Sequence, residues 1–191
     1  CQRITTRGRS HMFNGDEKIR YSKQILLPNI GLEGQRALKS GRVLLVGLGG
    51  MGSVIAQYLA ASGVGFIRMV DMDLVAPSNL NRQILYQTGD VSRAKTESAL
   101  EKLVAINPHI AVEAIQSEVR ETTLRELAAG CHLLVDATDD ARSYRAVNRF
   151  AWSRSIPVVF GITRGFEGAS VYFSADKTPC MECVLPPTLA K

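Results

Sequence analysis

The chain has 191 residues, 46% of them hydrophobic and 21% charged, with a formal net charge of +5. That is enough for one domain with a sizeable core and not comfortably two. No run approaches the roughly 18 consecutive apolar residues of a membrane span, and the opening "CQRITTRGRSHMF" is polar and basic, unlike a secretory signal.

Residues 1–11, with their "SHM", are expected to be a tag or cloning scar ahead of a start near Met12, outside the fold. Arg3, Arg7 and Arg9 lie in that stretch with no acid beside them, which leaves +2 for the remainder. So small an excess is weak grounds for a nucleic-acid partner and suits an anionic ligand equally well. Residues 12–41 read as N-terminal helices. "NGDEKIRYSKQILLPN" (14–29) has Asn14 and Glu17 at capping-box spacing and Pro28 as its stop, and "LEGQRALKS" (32–40) ends at Gly41.

From residue 42 to 179 strands and helices alternate. "RVLLV" (42–46) is a fully apolar strand, "MGSVIAQYLAAS" (51–62) a helix ending at Gly63, and "FIRMVDMD" (66–73) a strand. "RAKTESALEKLVAI" (93–106) is a helix stopped by Asn107-Pro108. "AVEAI", "HLLVDAT" and "PVVFGIT" read as further strands, separated by the helices "ETTLRELAA" and "DARSYRAVNRFAWSR". Apolar, β-branched strands alternating with helices predict a mostly parallel sheet covered on both faces. "ASVYFS" (169–174) adds a late strand with period-2 alternation, expected to be antiparallel. The fold class is therefore a doubly wound, Rossmann-like α/β domain with one late antiparallel strand.

"VGLGGMG" (46–52) places Gly47, Gly49 and Gly52 in G-x-G-x-x-G spacing between a strand and a helix. In such a turn the first glycine makes the bend, the second admits a phosphate to the backbone, and the third lets helix and strand pack closely. Asp71 follows at the end of the next strand, where a carboxylate accepts from ribose hydroxyls. The competing reading is a tight turn of small residues with a packing role alone. Taken singly, the fingerprint favours a nicotinamide or flavin cofactor.

The extra Gly50 and the segment "DMDLVAPSNLNRQILY" point elsewhere. That segment carries Asp71, Asp73, Asn79, Asn81, Arg82 and Gln83, and Lys95 follows at the start of the next helix. Arg and Lys converging at the carboxyl ends of the strands suit a triphosphate; the alternative is a solvated polar loop. "DATDDARSYR" places Asp136, Asp139 and Asp140 at the same sheet edge. Mg²⁺ is held through one or two carboxylates plus phosphate oxygens, and Asp139 is the candidate ligand. Asp140 also suits a helix N-cap.

Of four cysteines, Cys1 falls in the expected scar and Cys131 in an apolar, core-like context. Cys180 and Cys183 form "CMEC", no disulfide framework, so a reducing cytoplasm is expected. His109 and His132 read as structural.

These stretches together resemble the ThiF/MoeB/HesA family, relatives of ubiquitin-activating enzymes. The resemblance covers nearly all of residues 20–185. It takes in "RYSKQILLPNIG", "VGLGGMG", "DMDLVAPSNLNRQ", the Lys95 helix, "INPHI", "DATDD", "PVVFGITRGFEGASVYF" and "CMEC". It implies an adenylyltransferase that uses ATP and Mg²⁺ to adenylate the C-terminal glycine carboxylate of a small ubiquitin-like sulfur carrier ending in Gly-Gly. Pyrophosphate is released, in thiamin, molybdenum-cofactor or similar sulfur transfer. It also implies a homodimer. By matching positions, Asp71 holds the ribose; Gly47, Gly49, Gly50 and Gly52 line the nucleotide, with Asp73 and Gln83 beside it. Asn79, Arg82 and Lys95 face the phosphates, and Asp139 faces the metal.

The chain departs from the family pattern in three places. Lys23 stands where the family often has an Arg that reaches the partner subunit's phosphate site, and loses the bidentate fork. Asp140 stands where Asn is usual. Cys180 and Cys183 resemble one half of a Cys₄ zinc site whose second pair lies farther downstream, so residues 180–191 read as the start of a zinc-binding or crossover segment, with Zn²⁺ expected only in a chain carrying that second pair. Three other functions fit the same fold: activation of a tRNA-bound carboxylate with ATP, nicotinamide-dependent oxidoreduction, and nucleotide binding without catalysis.

Overall fold

The computed structural model describes residues 2–5 and 13–184. The expected start at Met12, Cys1 and the tail from residue 185 onward lie outside the described residues.

The N-terminal helices are α1 (Gly15–Arg20), α2 (Ser22–Ile25) and α3 (Gly31–Ser40). The capping box predicted at Asn14 is present: Glu17 N–H donates to Asn14 Oδ1 at 2.8 Å and Asn14 N–H to Glu17 Oε2 at 3.0 Å. The single helix expected over 14–29 is instead divided at Tyr21. Tyr21 is buried, its ring packed where a side chain on Gly63 would stand: a Cβ there would lie 2.6 Å from Tyr21 Cζ. Its hydroxyl accepts from Asn107 Nδ2 at 2.7 Å, and the same amide donates to the Ala60 carbonyl at 2.7 Å. A tertiary anchor thus overrides local helix propensity.

The remaining elements are β2 (Arg42–Val46), α4 (Gly50–Ser62), β3 (Phe66–Asp71), α5 (Lys95–Ile106), β4 (Ala111–Gln116), α6 (Glu121–Leu127), β5 (Leu133–Asp136), α7 (Ala141–Ser153), β6 (Val158–Arg164), β7 (Glu167–Phe173) and α8 (Met181–Val184). A first strand, β1 (Gln2–Thr5), precedes them. The described strands form one sheet in the order β1-β4-β3-β2-β5-β6-β7. The five inner strands pair in parallel, and β7 runs antiparallel to β6 as its alternation predicts. Within the expected tag, β1 pairs antiparallel with β4, Gln2 opposite Gln116 and Thr5 opposite Glu113. Short and polar, that segment carries no hydrophobic signal of a strand.

Period-2 alternation along β2 divides the core between the two faces. Val43 and Leu45 join Ile67, Met69, Ala56 and Leu103 beneath α4 and α5. Leu44 and Val46 join Val70, Leu124, Val147 and Phe160 beneath α6 and α7. An ion pair is buried inside this sheet. Arg68 faces Glu113 across the β3–β4 register, with Nε 2.5 Å from Glu113 Oε2 and Nη1 2.6 Å from the Leu127 carbonyl. Cys131 is buried beside them.

The chain leaves β2 toward β3 on one side and pairs β2 with β5 on the other, so the strand order reverses at β2. The crevice beyond the carboxyl ends of β2 and β5 is where open α/β sheets bind ligands.

The Asn107 anchor gives a stability test. Asn107→Ala removes the donor from two buried acceptors and should lower the urea unfolding free energy by about 2–3 kcal/mol with an unchanged m-value.

Candidate active site

The glycine turn forms the floor of the crevice. Gly47 has φ +86°, and a Cβ there would lie 2.9 Å from Thr138 Cγ2 and 3.1 Å from the Ala137 carbonyl carbon. A Cβ on Gly52 would lie 1.9 Å from the Gly47 carbonyl oxygen, so helix α4 touches the strand end at backbone distance. At Gly49 the nearest atom to a Cβ is Gln83 Nε2, at 4.0 Å: the open side faces the crevice. α4 starts at Gly50 without a side-chain cap, which leaves its first N–H groups and positive dipole end to an anion.

Two side chains hold the turn from outside. Leu48 N–H donates to Asp71 Oδ2 at 2.7 Å, and Asp73 N–H to Asp71 Oδ1 at 2.8 Å. Burial pushes the Asp71 carboxyl up, against those two hydrogen bonds and the charge of Lys95. Tyr86, buried, donates its hydroxyl to the Leu48 carbonyl at 3.0 Å. Burial, together with Asp71, Asp90 and Asp73, raises its pKa, so it remains a neutral donor.

Around this floor a cavity of about 840 Å³ is lined by eleven of the residues singled out in the sequence: Gly47, Gly49, Gly50, Asp71, Asp73, Asn79, Arg82, Gln83, Lys95, Asp139 and Asp140. Lys95 opens α5 and is almost wholly buried, its Nζ 2.8 Å from Asp73 Oδ2. Arg82 lies over the helix start, its Cδ and Nε 3.8 Å from where a Gly50 Cβ would be. Its Nη1 donates to the Ser78 carbonyl at 3.0 Å and to Asn81 Oδ1 at 3.2 Å, both uncharged oxygens. Asn79 accepts from Ala76 N–H at 3.1 Å and closes the one-turn helix Pro77–Asn79. Gln83 is buried and its Oε1 has no protein partner.

The three acids of "DATDD" have separate surroundings. Asp139 is exposed and lines the cavity. Asp140 caps α7, accepting from Arg142 N–H at 3.2 Å and Ser143 N–H at 3.0 Å, so its carboxylate is already engaged. Asp136 is fully buried and is not among the cavity-lining residues. One of its oxygens accepts from Thr138 N–H and Oγ1 at 3.0 and 2.7 Å, and the other has no partner. Burial pushes its pKa up to about 6 despite the Thr138 hydrogen bonds. Tyr144 fixes the same loop from the side, donating to the Thr138 carbonyl at 2.5 Å.

Gly52 lies under the turn. Lys23, exposed on α2, does not reach this cavity. Cys180 and Cys183 lie on and before α8 with their sulfurs 3.3 Å apart, also outside it. Sequence reasoning passed over Ser117, Glu118 and Val119, which line the cavity from the end of β4, and Ser143 and Thr163. Their signal is positional: the carboxyl ends of parallel strands and a helix's first turn. Among the described residues no cluster of three or more His, Cys, Asp or Glu side chains could hold a metal by itself. Asp139 fits a cation that completes its shell with ligand oxygens, as Mg²⁺ does. No described helix is long and apolar enough to cross a membrane.

A family model described as "ThiF family" matches residues 21–190. The chain is 38% identical over 169 residues to the molybdopterin-synthase adenylyltransferase of Salmonella typhimurium, covering 88% of this chain and 68% of that protein. It is 34% identical over 174 residues to the sulfur carrier protein ThiS adenylyltransferase of Escherichia coli, covering 91% and 69%. Among solved structures, that of E. coli MccB with ATP superposes with a TM-score of 0.81 at 27% identity, covering 92% of this chain and 54% of that one. The chain thus spans about two thirds of those curated relatives and about half of that solved chain.

The buried acid gives a pH test. Between the ordinary carboxyl pKa of 3.8 and the folded value of about 6, the native state holds the Asp136 proton more tightly than the unfolded chain. Wild-type stability from this group is full below that window and declines as pH rises through it. Asp136→Asn has no such proton, so its stability relative to wild type should improve from the lower to the upper edge of the window. Urea unfolding at both edges reads this, and a constant difference would refute it.

Proposed function

The chain belongs to the ThiF family, and from that premise we propose that it adenylates the terminal glycine carboxylate of a ubiquitin-like sulfur carrier with ATP, releasing pyrophosphate. The observation that carries the reading is the meeting of Arg82, Lys95 and Asp139 around one cavity above the uncapped start of α4. A carboxylate approaching the α-phosphorus brings two anions together, and charge then accumulates on the departing pyrophosphate. Fixed cations and N–H groups aimed at those oxygens lower that barrier. The attacking group is already anionic, so positioning replaces a general base.

In this reading Asp71 accepts from the ribose while it holds the turn. Gly49 and Gly50 admit the phosphates, with Asn79 and Gln83 at the rim. Arg82 is held by neutral oxygens and can turn its full charge to the ligand. Lys95 is shared with Asp73, which exchanges part of that pairing for phosphate oxygen. Asp139 holds Mg²⁺, which when bound neutralises phosphate charge. The Cys180–Cys183 pair supplies two soft donors for Zn²⁺; a closed structural site needs two more from beyond the described residues.

The reading extends to a homodimer in the cytoplasm. Ile19, Leu26, Leu27 and Leu32 expose an apolar face on α1, the α2–α3 region and α3, and Lys23 from that region reaches the phosphates of the partner's cavity.

The test is ATP–pyrophosphate exchange dependent on a carrier ending in Gly-Gly. Arg82→Ala should lower kcat/KM for exchange by about 10²–10³-fold, the loss typical of one donor aimed at developing charge. Unchanged exchange would remove Arg82 from the reaction, and wild-type protein that binds ATP but never exchanges would sink the adenylation reading.

A further inference from the structure

α7 carries a feature that the adenylation site does not use. Its inner face is Ser143, Val147, Asn148 and Ala151. On the other side Arg142, Arg145 and Arg149 are exposed, followed by Trp152, also exposed. With 3.6 residues per turn, these four fall within about 80° of arc and extend over about 15 Å of helix.

The stripe is unfavourable for the helix itself. Arg142 and Arg145, then Arg145 and Arg149, stand at the three- and four-residue spacings where like charges repel. Arg142 also lies in the first turn, where the dipole disfavours a cation, and that turn contains no acid. Compensation is partial. Arg149 Nε lies 3.6 Å from Glu182 Oε1 and the Asp140 cap carboxylate attracts Arg142, while among the described residues no acidic side chain forms an ion pair with Arg145. Three clustered guanidinium groups and a partly exposed indole on one helix face are the makings of a contact surface.

Its place points to the partner. Asp140 and Ser143, at the start of the same helix, line the catalytic cavity, so the stripe runs outward from the cavity mouth. We propose that Arg142, Arg145 and Arg149 form the docking surface for an acidic face of the carrier protein, which rests on α7 while its C-terminal tail enters the cavity. This rests on the adenylation reading. The neighbouring α6 exposes Glu121 and Glu126 around Arg125. Such a mixed border complements a protein surface with a defined charge pattern, whereas a nucleic-acid track calls for continuous positive charge.

The test compares wild type with the triple variant Arg142→Gln/Arg145→Gln/Arg149→Gln, its fold verified by circular dichroism and melting temperature. In exchange assays the KM for a Gly-Gly-terminated carrier should rise about tenfold or more and lose most of its salt dependence. The kcat and the KM for ATP should stay unchanged. A short peptide ending in Gly-Gly, free of charged side chains and unable to reach α7, should serve both proteins equally. An unchanged carrier KM overturns the proposal, as does an equal loss with the short peptide. Weakened binding of bulk tRNA with an unchanged carrier KM makes the stripe an RNA surface instead. Should wild type exchange with no carrier, the adenylation reading fails separately. The stripe is then judged by fluorescence anisotropy of a labelled oligoglutamate peptide: salt-sensitive binding lost in the variant upholds an acidic protein partner, and equal binding overturns it.

Discussion

The structure depends on how closely α4 approaches the end of β2. With no side chain at Gly52, the helix backbone lies against the Gly47 carbonyl, where a single methyl group would overlap it at 1.9 Å. That contact fixes the helix start over the strand end and directs its unbonded N–H groups into the crevice. A Cβ on Gly47 would meet Thr138 at 2.9 Å and Ala137 at 3.1 Å, a close approach that brings the loop carrying Asp139 to the opposite wall. Asp71 and Tyr86 then hold the intervening residue, one by its N–H and the other by its carbonyl. The floor of the site is thus rigid backbone, and the charged groups stand around it.

Those groups are prepared to different degrees. Lys95 is buried and paired with Asp73, a compensated charge that an arriving anion must share. Arg82 rests on a carbonyl and an amide oxygen and retains a field for a more negative guest. Asp140 is bound into the cap of α7, which leaves Asp139 the freer carboxylate at the cavity. Asp136 is buried away from the cavity, whereas Asp140 stays ionised at the cavity wall with its charge engaged by the Arg142 and Ser143 N–H groups.

Much of this was legible in the sequence because strong local signals coincide. "RVLLV" gave strand β2 to the residue, and the glycines, Asp71 and the Arg82 segment follow from spacing relative to a strand and a helix. What escaped was set by distant partners. Tyr21 divides its helix because Asn107, 86 positions away, and Gly63 receive it. Arg68 and Glu113 each interrupt an apolar run, and only the strand register shows that they interrupt it together. β1 has no hydrophobic pattern, since backbone pairing to the edge of β4 asks little of its side chains. Ser117 to Val119 reach the cavity only by their place after a strand. The three arginines of α7 were visible as letters, yet their alignment on one exposed helix face is a property of the assembled surface.

The Tyr21–Asn107 link also bears on how the chain matures on the ribosome. The first helices emerge early, but their tyrosine has no socket until α4 and the residues after α5 have followed. At roughly 5–20 residues per second, 86 positions correspond to a wait of about 4–17 seconds. Throughout that interval a bulky aromatic side chain, buried in the folded chain, remains open to solvent and to chaperones. Tyr21 therefore gains its permanent neighbours only after α4, α5 and Asn107 have followed it.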